Sequence, residues 1–389
     1  MSDTAPAPRT APTKTGDSYP ALDGLRGIAV TCVVFTHLGF QSGEFRYGNW
    51  GALLDRLDFG VTLFFLLSGF LLYGPFVRAH LRGMTPPRTL GYLRNRALRI
   101  LPGYWVALIV IMPAVAWRYT DVGEVTLQGL LLEIYRPAHL LPGLTQMWSL
   151  CVEVTFYLAL PVLALIARRG RQPLRSQAWL CGALVAISIG WYFGSGGFTS
   201  GTAHRGVQNL WLPTFLDWFA LGMALAVLRA WHDTSGRAQV LDQLGDAGLT
   251  CWTIGGLLFW LTASPLAGPR GLIDPTAGQA LTKHLLYGAA AFFLLLPAVF
   301  GTDERALVRR LLESPPLRWL GRVSYGVFLW HLLIIELTFR TFDITVFTGH
   351  FWLLTACVLP GSLLAAALSL RLVEQPALNL KRRWATAGR

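Results

Sequence analysis

Hydrophobic residues in this chain come in long blocks rather than in alternation with polar ones. Ten blocks, at 20–40, 59–78, 101–117, 147–167, 178–194, 211–230, 248–264, 282–300, 322–340 and 351–373, approach the ~20 residues a helix needs to cross the hydrocarbon layer. Barrel strands would be about 10 residues long and strictly alternating, and these runs are neither. Within lipid the backbone must satisfy its own hydrogen bonds, which leaves the helix. The pattern therefore predicts an all-α protein, a polytopic transmembrane helical bundle of about ten spans.

Composition agrees: 53% of the 389 residues are hydrophobic and 14% are charged, against roughly 25% charged in a soluble domain. The net charge of +12 would suit a nucleic-acid binder, but such proteins cluster their basic residues on one soluble face. Here they sit between apolar blocks. Of the 33 Lys and Arg, 25 fall on the side shared by the two termini and 8 on the other. The positive-inside rule then puts both termini in the cytoplasm. Residues 1–18, rich in Ala, Pro and Thr, read as a disordered cytoplasmic leader. The block after Tyr19 reads as a retained first span rather than a signal peptide, because Arg26 interrupts its start and no small-residue cleavage site follows. Residues 377–389 form a basic cytoplasmic tail with no soluble catalytic domain appended, so chemistry has to come from the bundle. The broken segment 121–146 is expected to cover the outer mouth as a lid or re-entrant piece. Cys32, Cys151, Cys181, Cys251 and Cys357 lie in apolar segments without a CxxC pair, which implies neither a disulfide framework nor a metal site.

An ionisable side chain inside a span is costly and marks function by default. His37, Glu153, His331 and Glu336 are such residues, on three different blocks at overlapping depths, and a shared polar cavity accounts for them. Each alone could be hydrogen-bonded glue between helices; Asp217 has the same two readings. Arg26 and His37 are eleven residues apart, about three turns, so they share one stripe of the first span. At ~1.5 Å per residue they are separated by roughly 16 Å. Asp23 is expected to cap that helix. Arg96 and Arg99 lie three apart on one helix face at the membrane surface, a pairing suited to a phosphate-rich ligand.

At these residues the sequence resembles the acyltransferase-3 family of integral membrane O-acyltransferases, over residues 19–376. The resemblance rests on six ordered motifs: LDGLRGIAVTCVVFTH with Arg26 and His37, FFLLSGFLL at Phe64 to Leu72, RALRILP at Arg96 to Pro102, WSLCVEVTFYL at Trp148 to Leu158, SYGVFLWH at Ser324 to His331, and VEQP at Val373 to Pro376. Thr62 departs from the aspartate common in relatives, and Val154 with Thr155 replace an acidic residue and Gln. The resemblance implies transfer of an acyl group, acetyl or another short one, from acyl-CoA as co-substrate to a hydroxyl of a glycan, glycolipid or macrolide-type natural product. His37 would be the base and Arg26 its companion, with Arg96 and Arg99 binding the coenzyme; Glu153, at an overlapping depth, is read from its chemistry as orienting His37 or stabilising its imidazolium. Ser68, Trp148, Ser149, Tyr325, His331 and Glu336 are the candidates for lining the substrate cavity. No permanently bound cofactor, metal or nucleic acid is expected. The Ala-, Arg- and Gly-heavy composition points to a high-GC bacterium, and the expected location is the bacterial cytoplasmic membrane.

A secondary transporter would also place ionisable groups at the midplane, but with internally related halves, and no such repeat is visible. A lipid-linked-sugar glycosyltransferase would want acidic residues in an outer loop, where Asp55 and Asp58 are read as solvated. The charge asymmetry makes a direct prediction. Single cysteines at Thr10, Arg88 and Ala385, in a protein whose own cysteines are replaced, should react with a membrane-impermeant maleimide only after permeabilisation. Labelling of all three in intact cells would reverse the orientation.

Overall fold

The computed structural model describes residues 19–116, 118, 121–136, 141–194, 208–236 and 239–386. The predicted leader and the last residues of the tail lie outside that set. Among the described residues, nine helices are long and apolar enough to cross a membrane, and a bent pair supplies a tenth. No strand occurs among them.

In chain order, α1 (Pro20–Ser42) leads through the short α2 (Gly48–Asp55) to α3 (Phe59–Leu81), followed by α4 (Thr89–Ile111). After α5 (Val122–Gly129) come α6 (Met147–Arg168), α7 (Pro173–Gly194) and α8 (Leu212–Ser235). The bent pair is α9 (Gln239–Asp246) and α10 (Gly248–Leu261), meeting at 70°. Then follow α11 (Ala277–Phe300), the short α12 (Leu307–Leu312), α13 (Pro315–Phe342), α14 (Phe351–Ser369) and α15 (Gln375–Thr386).

Two boundaries and one cap differ from the sequence expectation for physical reasons. The third span begins at Thr89 rather than 101, because the arginine-bearing YLRNRALR run is itself helical and carries the polar half of α4. The seventh has only 14 residues in α10, about 21 Å at the helical rise, short of the ~30 Å hydrocarbon layer. Asp246 closes its partner α9 by accepting the backbone N–H groups of Thr302 and Asp303. At the first span, the N-cap is Tyr19 and the helix starts at Pro20, so Asp23 sits in the first turn instead of capping it. Pro at the first helical position gives up an N–H that has no helical partner anyway.

The connections at one end of the bundle are tied rather than loose. Backbone N–H groups of Phe347 and Gly349 donate to the carbonyls of Gln41 and Ser42, fastening the end of α1 to the α13–α14 turn. Arg56, 5% exposed, donates to the carbonyls of Thr262, Gly268 and Pro269. Asp55 is correspondingly not solvated: its side chain is 12% exposed, pairs with Arg56 and accepts the Gly271 N–H. Asp58 is the more open of the two and pairs with Lys283 at 2.7 Å. The segment after α4 docks as a cover, with Tyr104 and Trp105 donating to the carbonyls of Gln128 and Gly129. Glu133 in that cover is buried and accepts from the Cys151 thiol, and burial holds its carboxyl above the ordinary range.

Without water to drive them together, membrane helices associate through close packing of small residues. The contact between α1 and α13 is of this kind. A Cβ added at Gly27 would stand 2.8 Å from the Leu317 carbonyl oxygen, and one at Gly321 would collide with the Asp23 carbonyl. The two helices run parallel from this contact, since Val30 and Val34 of α1 pack in one cluster with Val323 and Val327 of α13. Gly321→Leu should therefore lower the thermal midpoint of the purified protein markedly, by an overpacking term of roughly 3 kcal/mol. Gly182→Ala, where an added Cβ meets nothing within 4 Å, should leave it unchanged; equal behaviour of the two variants would deny the close approach.

Candidate active site

Between α1, α3, α4, α6 and α13 lies a cavity of about 370 Å³, within the range of small-molecule sites. Arg26, Arg96, Arg99 and Glu153 are its charged walls; Ser68, Ser149, Ser324, Tyr157, Tyr325 and Asn95 are among its polar ones. Val33, Val61, Phe64, Phe65 and Phe328 make its apolar end. The helices explain the mixture. Arg26 stands near the start of α1 and Val33 two turns on, so one stripe passes from guanidinium to hydrocarbon over about 10 Å. A second cavity of about 360 Å³ shares Leu71, Leu72, Asn95 and Arg96 with the first and adds Arg88 and Tyr92. The two chambers meet at the polar half of α4.

Three guanidinium groups face one carboxylate in the inner chamber. Glu153 accepts a hydrogen bond from Ser68 across the cavity, and its charge acts on Arg26 and on Tyr157, the residue one turn along α6. Arg99 is met from behind by Glu374 at 3.8 Å, whose side chain is 2% exposed. Nε of Arg26, Nε of Arg96, Oδ1 of Asn95 and the Tyr92 hydroxyl are all buried without a hydrogen-bond partner. Buried polar groups are normally paired. Four orphans along one pair of chambers mark a place where a ligand's own polar groups belong.

His37 lies one turn beyond Val33, outside the walls of the cavity proper, and its ring meets that of His331 with centroids 5.0 Å apart. Nδ1 of His37 is 2.7 Å from the Val33 carbonyl and 3.3 Å from Nε2 of His331. His331 is fully buried, with Nδ1 2.9 Å from the Phe328 carbonyl and 3.1 Å from that of Val327.

Most of the residues singled out by sequence converge. Arg26, Ser68, Arg96, Arg99, Ser149, Glu153 and Tyr325 share the cavity, and His37 with His331 form a pair at its apolar end. The Tyr325 hydroxyl also donates to the Ile100 carbonyl, joining α13 to α4. Glu153 is not placed against His37; its contacts are Ser68 and Tyr157, and His331 occupies the neighbouring position to His37. Trp148 is not a cavity wall but backs Phe65 and Phe215 in an aromatic cluster. Glu336 is also elsewhere, in a partly exposed ion pair with Arg340 one turn along α13. Asp217 faces the bundle interior, where His284 Nε2 contacts both its oxygens at 2.9 Å and Ser188 donates to it.

Sequence reasoning overlooked Glu374, although the VEQP motif contained it. A turn of π-helix, Leu370–Glu374, brings its carboxylate to Arg99, and such turns recur at functional sites. Tyr157 and Asn95 were likewise missed: Tyr157 lies within the motif that supplied Trp148, Ser149 and Glu153, and Asn95 directly before the one that begins at Arg96.

The family described as an acyltransferase domain matches residues 19–371. The chain is 26% identical to nodulation protein 10 of Rhizobium leguminosarum bv. viciae, over 92% of this chain and 93% of that protein. It is 28% identical to the exopolysaccharide production protein ExoZ of Rhizobium meliloti, over 85% of this chain and 92% of that one. Against the peptidoglycan O-acetyltransferase OatA of Listeria monocytogenes it is 24% identical over 92% of its own length, and spans 55% of the relative. No solved structure matches. A multi-pass bundle with an ionisable cavity, matched from its first span almost to the end of its last, this chain belongs to the acyltransferase-3 family of membrane acyltransferases.

Proposed function

We propose that the protein transfers a short acyl group, acetyl foremost, from acyl-CoA to a hydroxyl of a cell-envelope glycan or glycolipid. The observation that carries this reading is the over-cationic double chamber with its unpaired polar groups. An anionic, elongated donor suits it. A charge pair at about 4 Å is worth roughly 1 kcal/mol in water and about 4 kcal/mol at the effective dielectric of a protein, so guanidinium groups facing a partly enclosed chamber bind phosphate far better than exposed ones. At about 370 Å³ the inner chamber suits the thioester arm, with the nucleotide end toward Arg88 and Tyr92. The apolar end at Val33, Phe64 and Phe328 then takes the acyl group, one turn from His37. Names of relatives, an exopolysaccharide production protein and a peptidoglycan O-acetyltransferase, favour a glycan acceptor over a macrolide.

The chemistry follows from this layout. An acceptor hydroxyl attacks the thioester carbonyl while His37 takes its proton; the C–S bond breaks, and the departing thiolate recovers that proton from the imidazolium. Arg26, ~16 Å back along an unbroken helix, serves the donor's polar groups rather than the reacting carbonyl. Glu153 orients Ser68 and balances Arg26.

His37→Ala should abolish transfer, by a factor on the order of 10²–10⁴, in a protein that still extracts as a folded bundle and still binds acetyl-CoA. Transfer at the wild-type rate would remove His37 from the mechanism. Replacing Arg96 and Arg99 together by Gln should weaken acetyl-CoA binding by roughly 1.5–3 kcal/mol for each charge-assisted hydrogen bond to phosphate that disappears. Calorimetry showing wild-type affinity would place the donor elsewhere.

A further inference from the structure

We infer that His331 is the positioning residue for His37, and that a neutral imidazole fills the place a carboxylate takes in most base-orienting pairs. The inference rests on the reading of His37 as the base and adds what sets its protonation.

Which atoms can donate decides the pairing. A backbone carbonyl only accepts, so Nδ1 of His37, 2.7 Å from the Val33 carbonyl, carries a hydrogen. The same holds for Nδ1 of His331, which faces the carbonyls of Val327 and Phe328. Nε2 of His331 approaches Nδ1 of His37 at 3.3 Å. Two N–H groups cannot face each other there, so Nε2 of His331 presents its lone pair and the ring is neutral. His37 is left with one basic nitrogen, Nε2, to which the described residues offer no hydrogen bond. When that nitrogen takes a proton, the added charge spreads to Nδ1–H, which the Val33 carbonyl and the His331 lone pair both stabilise. The tautomer a general base requires is thus selected before substrate arrives, and the buried partner keeps the ring from turning.

A carboxylate in this position would have to be kept charged inside the membrane; a neutral ring 0% exposed does not. The position of His331 is fixed by the helix contact below it. Gly27 and Gly321 touch, and each histidine stands ten residues further along its own parallel helix, about 15 Å in both cases. The charged groups around the pair are few. Beside His331 on α13, the charge that acts on His37 is Asp58 at the start of α3, already paired with Lys283 and accepting from Tyr287.

The first test uses the full chain in detergent or nanodiscs, with ¹⁵N-labelled histidine, and needs only the His37→Ala variant to fold, for assignment. The signal that disappears in His37→Ala should report a protonated Nδ1 and an unprotonated Nε2 in the wild-type protein; the opposite tautomer overturns the inference. His331→Leu should then lower kcat about ten- to a hundredfold with KM for acetyl-CoA unchanged. It should also move the acidic limb of the pH–rate profile to lower pH, because a lone pair that stabilised the imidazolium is gone. His331→Gln, whose side-chain oxygen can accept from Nδ1–H, should restore the limb and most of the rate. A His331→Leu enzyme with wild-type rate and profile, or one that is slow with an unmoved limb and no rescue by Gln, leaves His331 a packing residue. If His37→Ala itself remains active, it is the base assignment that fails, and the tautomer signal still decides the pairing.

Discussion

Two helix backbones in contact, with no side chain between them, set the geometry of this bundle. At Gly27 and Gly321 the interior of α1 reaches the interior of α13 at the distance of a carbonyl oxygen. In water such a contact would be one packing detail among many; in lipid, where apolar surface gains little by meeting apolar surface, it is a principal source of attraction and the fixer of register. From it follow the meeting of two imidazoles further up the pair and the placing of Arg26 and Tyr325 on the same chamber. The α3–α8 pair repeats the device, with Gly69 and Gly222 against each other's backbones, and delivers Ser68 to Glu153.

Charge is distributed along the site in a way that separates two tasks. The guanidinium groups gather in the first halves of α1 and α4, Arg26 and Arg99 each balanced in part by a carboxylate on a different helix, and the imidazoles stand three turns deeper among apolar walls. An excess of positive charge beside His37 would disfavour its protonation; distance prevents that. On the proposed function, one part of the molecule would hold an anion while another handles a proton.

How much of this was legible in the residues depends on what the bilayer penalises. Spans were legible because length and apolarity are dictated by hydrocarbon thickness, and Arg26, His37, Glu153 and His331 because each is expensive at depth. Partnerships were not. Glu336 reads as intramembrane by position, yet Arg340 one turn along supplies its counterion, and nothing in spacing tells an i,i+4 ion pair from a cavity residue. The pairing of Asp217 with His284 joins positions 67 residues apart, and that of Arg99 with Glu374 depends on a local change of helical winding. The expectation that Glu153 sits beside His37 followed from depth alone, which leaves the direction around the helix axis open; the neighbouring position belongs to His331.

The π-turn at Leu370–Glu374 bears on how the end of the chain is aimed. It holds one more residue than an α-turn would, and everything after it, including Leu378 in the cavity wall, is aimed by that surplus. Winding the same residues as ordinary α-helix would swing the following side chains by about 100°, while substitutions on the lipid-facing side of α14 would leave the aim untouched. The aim of this wall of the cavity is therefore held by the winding of five residues and not by any side chain among them.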